Sequence, residues 1–123
     1  MAKLRKQGWT FSPEQRASLD DTLGQLIANE RQAAALFVND DLRQARALAG
    51  EKARFRTIET QAADTHLQKI KAGQVDAAEV GALYLDILRD MKGINSHLVG
   101  AAAYPLLARH GELLPSRLRE AGN

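Results

Sequence analysis

Apolar residues in the last third of the chain recur at alternating spacings of four and three, which is the repeat of one side of a helix about seven turns long. The predicted core-facing stripe consists of Val80, Tyr84, Ile87, Met91, Ile94, Leu98, Ala101 and Pro105. Glycine inside a helix costs about 1 kcal/mol relative to alanine, so Gly93 and Gly100 suggest that another backbone or side chain packs closely there. Pro105 should kink the last turns because it cannot donate a backbone hydrogen bond.

A capping pattern marks the start of a first helix. Ser12 supplies a hydroxyl cap, Pro13 takes the first helical position, and Gln15 follows at the third. We predict that this helix covers residues 13–38. Its predicted apolar stripe consists of Leu19, Leu23, Leu26, Ile27, Ala34 and Phe37.

A second helix follows almost directly. Residues 39–41 are Asn-Asp-Asp and can cap it, and Gly73 stands where a C-terminal glycine stop belongs, so we predict a helix over 41–72. Its apolar side is marked by Leu48, Phe55, Ile58, Ala62, Thr65 and Ile70. Three ionisable residues at spacings of seven flank that stripe, namely Lys52, Glu59 and His66.

The third helix has its own predicted cap, formed by Asp76 and Glu79. In the basic segment that precedes the first helix, Trp9 and Phe11 are candidates for docking on the bundle. Connections this short make neighbouring helices antiparallel. We therefore predict one domain over 1–123, with a lead-in at 1–11, helices at 13–38, 41–72 and 77–110, and a tail at 112–123.

The predicted fold is all-α, an elongated up-down-up three-helix bundle. Composition agrees with this, since the chain is 45% hydrophobic but only 5% aromatic. The chain has no cysteine, which excludes disulfides and thiolate metal sites. Three long helices leave a groove uncovered, so we expect docking on a partner or a homodimer.

Charge argues against nucleic acid as a partner. The chain has 17 lysines and arginines against 15 acids, a net charge of +2, and these charges are spread through the helices rather than clustered. No apolar run approaches the roughly 20 residues of a membrane span, and there is no signal-peptide core. We expect a soluble fragment without direct membrane insertion, in the cytoplasm by default.

A polar stripe beside the third helix's apolar one holds the candidate chemistry. It consists of Asp86, Asp90, Gly93, His97, Gly100 and Tyr104. Asp86, Asp90 and His97, with Glu59 and His66 from the facing helix, could form a carboxylate and histidine metal site. However, Asp90 and His97 are about 10 Å apart along the helix axis, too far for one ion to join them. Structural ion pairs are the favoured interpretation, with no metal and no cofactor expected.

No catalytic set can be assigned. Ser96 and His97 suggest a nucleophile and base, but adjacent helical residues point about 100° apart and do not face each other. There is no Gly-rich phosphate loop and no HExxH motif. We do not expect an enzyme.

Particular residues add a resemblance to a known family. The run LDILRDMKGINSHLVGAAAYPLL, Leu85–Leu107, resembles the last helix of the PhoU-like domain found at the cytoplasmic C-terminal end of bacterial sodium/phosphate cotransporter family proteins. Glu51–Gly73 is similar to that domain's second helix, and Trp9–Leu19 resembles the segment that leads into it. The most specific piece is Arg89–His97.

The same resemblance bears on metal binding. Wider PhoU proteins are helical bundles in which E/D-x-x-x-D motifs bind metal clusters, and their LERIGDH signature falls on Met91–His97. The two expected acids are Lys92 and Ser96 here, which removes the charge that would hold a cation. Asp86 and Asp90 form a D-x-x-x-D elsewhere, so no ligand role transfers to them.

The resemblance implies a regulatory or scaffolding module on the cytoplasmic face of the inner membrane. Its partner would be the membrane domain of a sodium-dependent phosphate transporter, in the same polypeptide, and this chain would be an excised domain. Lys3, Arg5 and Lys6 would then follow the last membrane span, where positive residues are expected. The alternative is a metal-binding PhoU-type regulator of phosphate uptake and signalling.

Overall fold

Three long helices make up most of the protein in a computed structural model that describes residues 11–111. Helix α1 covers Pro13–Leu36, α2 covers Leu42–Lys71 and α3 covers Val75–Leu98. A five-residue π-helical segment, Val99–Ala103, continues α3 into a short helix α4, Tyr104–Arg109. No strand occurs within residues 11–111, and the predicted all-α up-down-up bundle is confirmed. The predictions for Trp9, the rest of the lead-in and the tail lie outside the described residues.

Local signals set most helix ends. Ser12 and Gln15 form the expected reciprocal capping box, with bonds of 2.9 and 3.1 Å, and Asp41 caps α2 by accepting from the Gln44 backbone N–H at 3.2 Å. Gly73 ends α2 with a φ of +76°, a conformation that glycine adopts without steric cost. The predicted cap by Asp76 and Glu79 is wrong, because the turn at Gly73 leads straight into α3 at Val75 and places Asp76 inside the first turn.

Pro105 accounts for the π-helical segment. It has no N–H, and its ring would clash with the carbonyl of Ala101 in a regular α-helix. The backbone widens just before it, and the Tyr104 N–H donates to the Val99 carbonyl five residues back. Val99 and Ala103 are fully buried in the widened segment.

The core runs the length of the bundle in three clusters. The cluster at the π-helical end comprises Ala33, Leu36, Ala45, Leu48, Val99, Ala102, Ala103, Leu106 and Leu107. The middle cluster comprises Leu26, Phe55, Leu88 and Met91. At the opposite end Phe11 packs with Val80 and makes an edge contact with the Tyr84 ring, so docking of Phe11 is confirmed.

Two predicted stripes need correction. On α1 the buried positions are Thr22, Leu26, Asn29, Ala33 and Leu36, whereas Leu23, Ile27, Ala34 and Phe37 are exposed. On α3 and beyond, Ile94, Ala101 and Pro105 are exposed and Asn95 is buried. Helix α1 carries apolar residues on two sides, so its helical period fits two stripes. Asn29 lies on the buried side of α1, and Asn95 lies on the buried side of α3.

The expected close approach at two glycines is also wrong. A Cβ added at Gly93 or Gly100 would meet nothing within 4 Å. The crowded glycine is Gly81, where a Cβ would lie 2.7 Å from Nδ1 of His66. The glycine in close contact with another helix is therefore near the start of α3, whereas the prediction placed it near the end of that helix and beyond.

No helix within residues 11–111 combines the length and apolar character needed to cross a membrane.

Candidate functional site

The ionisable row on α2 lies against the third helix. Lys52, Glu59 and His66 are each partly buried, as a row that flanks the core should be. Because α2 and α3 are antiparallel, His66 near the end of α2 meets Gly81 near the start of α3. Lys52, near the start of α2, meets Tyr104 beyond the end of α3. We call this contact, from His66 and Gly81 at one end to Lys52 and Tyr104 at the other, the α2/α3 seam.

Glu59 forms the centre of the seam. Lys92 Nζ donates to its Oε1 at 2.5 Å and Arg89 Nε donates to its Oε2 at 2.7 Å. The hydrogen bond from Lys92, followed by that from Arg89, lowers the pKa of Glu59 below its ordinary value. Arg89 also lies 3.7 Å from Asp86. Both carboxylate oxygens of Glu59 are thus engaged by cations of α3.

Removing this charge should weaken the bundle in a pH-dependent way. We expect Glu59→Gln to lower the free energy of unfolding at pH 7 by roughly 0.5–1 kcal/mol, the upper range for a partly exposed ion pair. The folded-state pKa is depressed, so the contribution is present above the unfolded value near 4.5 and is lost as the pH falls through the lower folded value. Urea titrations from neutral to acidic pH should show the two proteins converging, and a constant difference would contradict this.

His66 lies at the other end of the seam, pressed against Gly81. Its Nδ1 is buried and has no hydrogen-bond partner among the described residues. The imidazole borders a cleft of about 470 Å³ between α1 and α2, and Tyr84 there donates to Ser18 Oγ at 2.7 Å. Other polar residues of the cleft are Ser12, Glu14, Gln15, Gln61, Thr65 and Lys69. The cleft thus combines hydroxyl and amide groups with one acid, Glu14, and one base, Lys69.

Gly81→Ala tests the packing at this end. The added methyl would overlap Nδ1 of His66, so either the imidazole or α3 must move, and we expect a loss of about 1–3 kcal/mol in the free energy of unfolding. Gly93→Ala is the matched control, since its methyl meets nothing and should stabilise the helix by about 1 kcal/mol. Chemical denaturation checks both. Equal stabilisation by the two changes would show that the seam is not tightly packed.

Lys52 and Tyr104 close the seam near the π-helical end. Lys52 Nζ lies 5.7 Å above the Tyr104 ring, within range of a cation–π interaction. Burial, and then the charge of Arg56, lowers the pKa of Lys52, while burial raises the pKa of Tyr104. The ammonium and the ring therefore share a partly desolvated corner.

A buried amide network was missed from the sequence. Asn29 and Asn95, 1% and 0% exposed, join α1 to α3 through a bond of 2.8 Å from Asn29 Nδ2 to Asn95 Oδ1. Asn29 also donates to Glu51 of α2 at 3.1 Å and accepts from Gln25 at 3.0 Å. Nδ2 of Asn95 has no partner among the described residues. The sequence signal that could have revealed this network is helical spacing. Asn29 is in register with the apolar Leu26 and Ala33 on α1, and Asn95 is in register with Met91 and Val99.

The remaining candidate metal ligands lie apart from this network. Asp86, Asp90 and His97 are exposed on α3, and within residues 11–111 no three acids or histidines form a group that could hold a metal ion. Asp86 pairs with Arg89, and Glu59 is engaged as described above. The structure thus brings together Glu59 with Arg89 and Lys92, and His66 with Gly81.

Comparison with known proteins finds relatives that are named for the export of inorganic phosphate. Over 97 residues the chain is 34% identical to the "Putative inorganic phosphate export protein YjbB" of Salmonella typhimurium, an alignment that covers 79% of this chain and 18% of the relative. The protein of the same name from Escherichia coli K12 is 31% identical over 102 residues, or 83% of this chain and 19% of the relative.

No family model matches the chain, and neither does any solved structure. The chain spans about a fifth of the length of the curated relatives that it matches. Over most of its own length, it is therefore related to one segment of proteins named for the export of inorganic phosphate.

Proposed function

We propose that this chain is a PhoU-like regulatory or scaffolding module of a phosphate transport protein and that it acts by binding protein. The observation that carries the proposal is the 34% identity over 97 residues to a protein named for phosphate export. The resemblance of Arg89–His97 to the PhoU-like domain of sodium/phosphate cotransporters supports the finer assignment.

The roles of the polar residues favour protein binding over chemistry. Glu59 is neutralised by Arg89 and Lys92, and Asn29 and Asn95 bond to each other, so these groups connect helices. By contrast, large apolar side chains are exposed near the α2–α3 turn. Ile70 and Val75 line an apolar cleft there, and Leu67 is exposed three residues before Ile70 on α2. Exposed apolar clusters of this kind are typical of surfaces that bind other proteins.

The partner in this proposal is the membrane domain of the same polypeptide. More than four-fifths of each curated relative lies outside the matched segment, which leaves ample chain for such a domain. The lysines and arginine of the first six residues would then follow a membrane span on its cytoplasmic side. The bundle would report on, or hold, the conformation of the transport pathway from the cytoplasmic face.

Deletion in the native gene tests the proposal. The codons for residues 1–123 are removed in frame, and uptake and efflux of radiolabelled phosphate are measured in cells, with the flux divided by the abundance of the remaining protein. We expect the flux per molecule to change. Replacing sodium with choline in the same assay tests sodium dependence separately, and unchanged flux at equal abundance after deletion would contradict the regulatory role.

A further inference from the structure

The outer side of α1 is an exposed surface that the bundle itself does not explain. Leu23 and Ile27 are 48% and 41% exposed, although both are large aliphatic residues. Gly24 lies between them in the middle of a 24-residue helix, and a Cβ added there would meet nothing within 4 Å. Glycine costs about 1 kcal/mol at such a position, so close packing within the bundle does not account for it.

Two opposite charges flank this apolar segment. Asp20 and Arg31 are exposed, and the ion pairs of residues 11–111 include neither of them. They are eleven residues apart, about 16 Å along the helix, so they cannot pair with each other in one chain. Asp20, Gly24, Ile27 and Arg31 follow spacings of four, three and four, which keeps them on one side of α1.

We propose that a second copy of this chain docks on the outer α1 face, defined by Asp20, Leu23, Gly24, Ile27 and Arg31, with the two α1 helices antiparallel. A two-fold axis midway between residues 25 and 26 places Asp20 opposite Arg31 of the second copy. The same axis places Ile27 opposite Gly24 of the second copy. Ile27 of each copy thus meets a glycine of the other, which permits close approach of the two backbones.

The match is self-complementary, as a two-fold interface requires. Leu23 lies on the flank of this face, beside the central contacts. Charges pair at both ends, and the mid-helix glycine lies where the helices cross. A single helix–helix contact is a small interface, so the dimer should be weak in solution and favoured where copies are held in one membrane.

Sedimentation equilibrium of the purified chain over a wide concentration range tests the proposal. The wild type should show a monomer–dimer equilibrium. Asp20→Arg and Arg31→Asp should each be monomeric at concentrations where the wild type dimerises, because each change places like charges opposite one another at both ends. Circular dichroism and thermal melting establish that both variants remain folded.

Mixing the two variants provides the sharper test. A chain with Asp20→Arg carries two positive ends and a chain with Arg31→Asp carries two negative ends, so together they should form a heterodimer although neither forms a homodimer. A wild-type monomer at all concentrations, or no association of the mixed variants, would overturn the proposal. Destabilisation of a monomeric chain by Ile27→Asp would also overturn it, because the chain itself would then cover this face. Either outcome leaves the phosphate flux assay unaffected, because the dimer and the transport role are tested separately.

Discussion

Phe55→Ala is expected to lower the free energy of unfolding by about 3–5 kcal/mol, the range for removing a buried phenylalanine. The Phe55 ring of α2 is 2% exposed and packs with Leu26 of α1 and with Leu88 and Met91 of α3. Among the residues of α2 only Ala45, Leu48 and Phe55 are fully buried, so the Phe55 ring supplies much of the core packing that holds α2 in the bundle. Small domains are typically stable by only 5–15 kcal/mol, and the loss is a large share of that.

Urea denaturation followed by far-ultraviolet circular dichroism measures this effect. Phe37→Ala is the matched control, because that ring is 68% exposed at the end of α1 and its removal should change stability by less than about 0.5 kcal/mol. Should the alanine variant fail to fold, Phe55→Leu gives a milder loss of about 1–1.5 kcal/mol that can still be measured. Similar effects at positions 37 and 55 would contradict the packing described.

The second large effect is expected at the buried amide pair. We expect Asn29→Leu and Asn95→Leu each to cost about 1–3 kcal/mol, since each breaks the hydrogen bond between two buried amides. Asn29→Leu should cost more. It removes the hydrogen bond of Asn95, which is fully buried, whereas Asn29 keeps Glu51 and Gln25 when Asn95 is replaced.

A double-mutant cycle checks this interpretation. The double variant should lose less stability than the sum of the singles, with a coupling of roughly 0.5–3 kcal/mol, because leucines on both sides leave no orphaned amide between α1 and α3. Urea denaturation of the four proteins supplies the numbers. Strict additivity, or a larger loss for Asn95→Leu than for Asn29→Leu, would contradict the hydrogen-bonding scheme.

Local signals made the helix ends predictable, whereas the buried faces were harder to predict. Ser12, Asp41 and Gly73 act through their own backbone neighbours, so their roles can be recognised from a few residues. The core face of α1 depends on which of two apolar stripes meets the other helices. The sequence favoured the stripe with more aliphatic residues, whereas the structure buries the one that contains Asn29, whose Nδ2 donates to Asn95 Oδ1 of α3.

The candidate site was predictable on one helix only. The spacing of Lys52, Glu59 and His66 predicted a row at the edge of the core, and all three are partly buried there. Their partners could not be derived, because a helical period says nothing about how far one helix is shifted along another. For the same reason Gly81, rather than Gly93, is the glycine in close contact.

The central claim is that this bundle acts in phosphate transport through its own surfaces. Exchange of the codons for residues 1–123 for those of an unrelated three-helix bundle of equal length tests it most directly, with radiolabelled phosphate flux measured per molecule in cells. We predict that the exchanged protein behaves like the in-frame deletion and that the native bundle alone gives normal flux. Normal flux from the unrelated bundle would show that this segment is only a spacer, which would contradict a role for its surfaces.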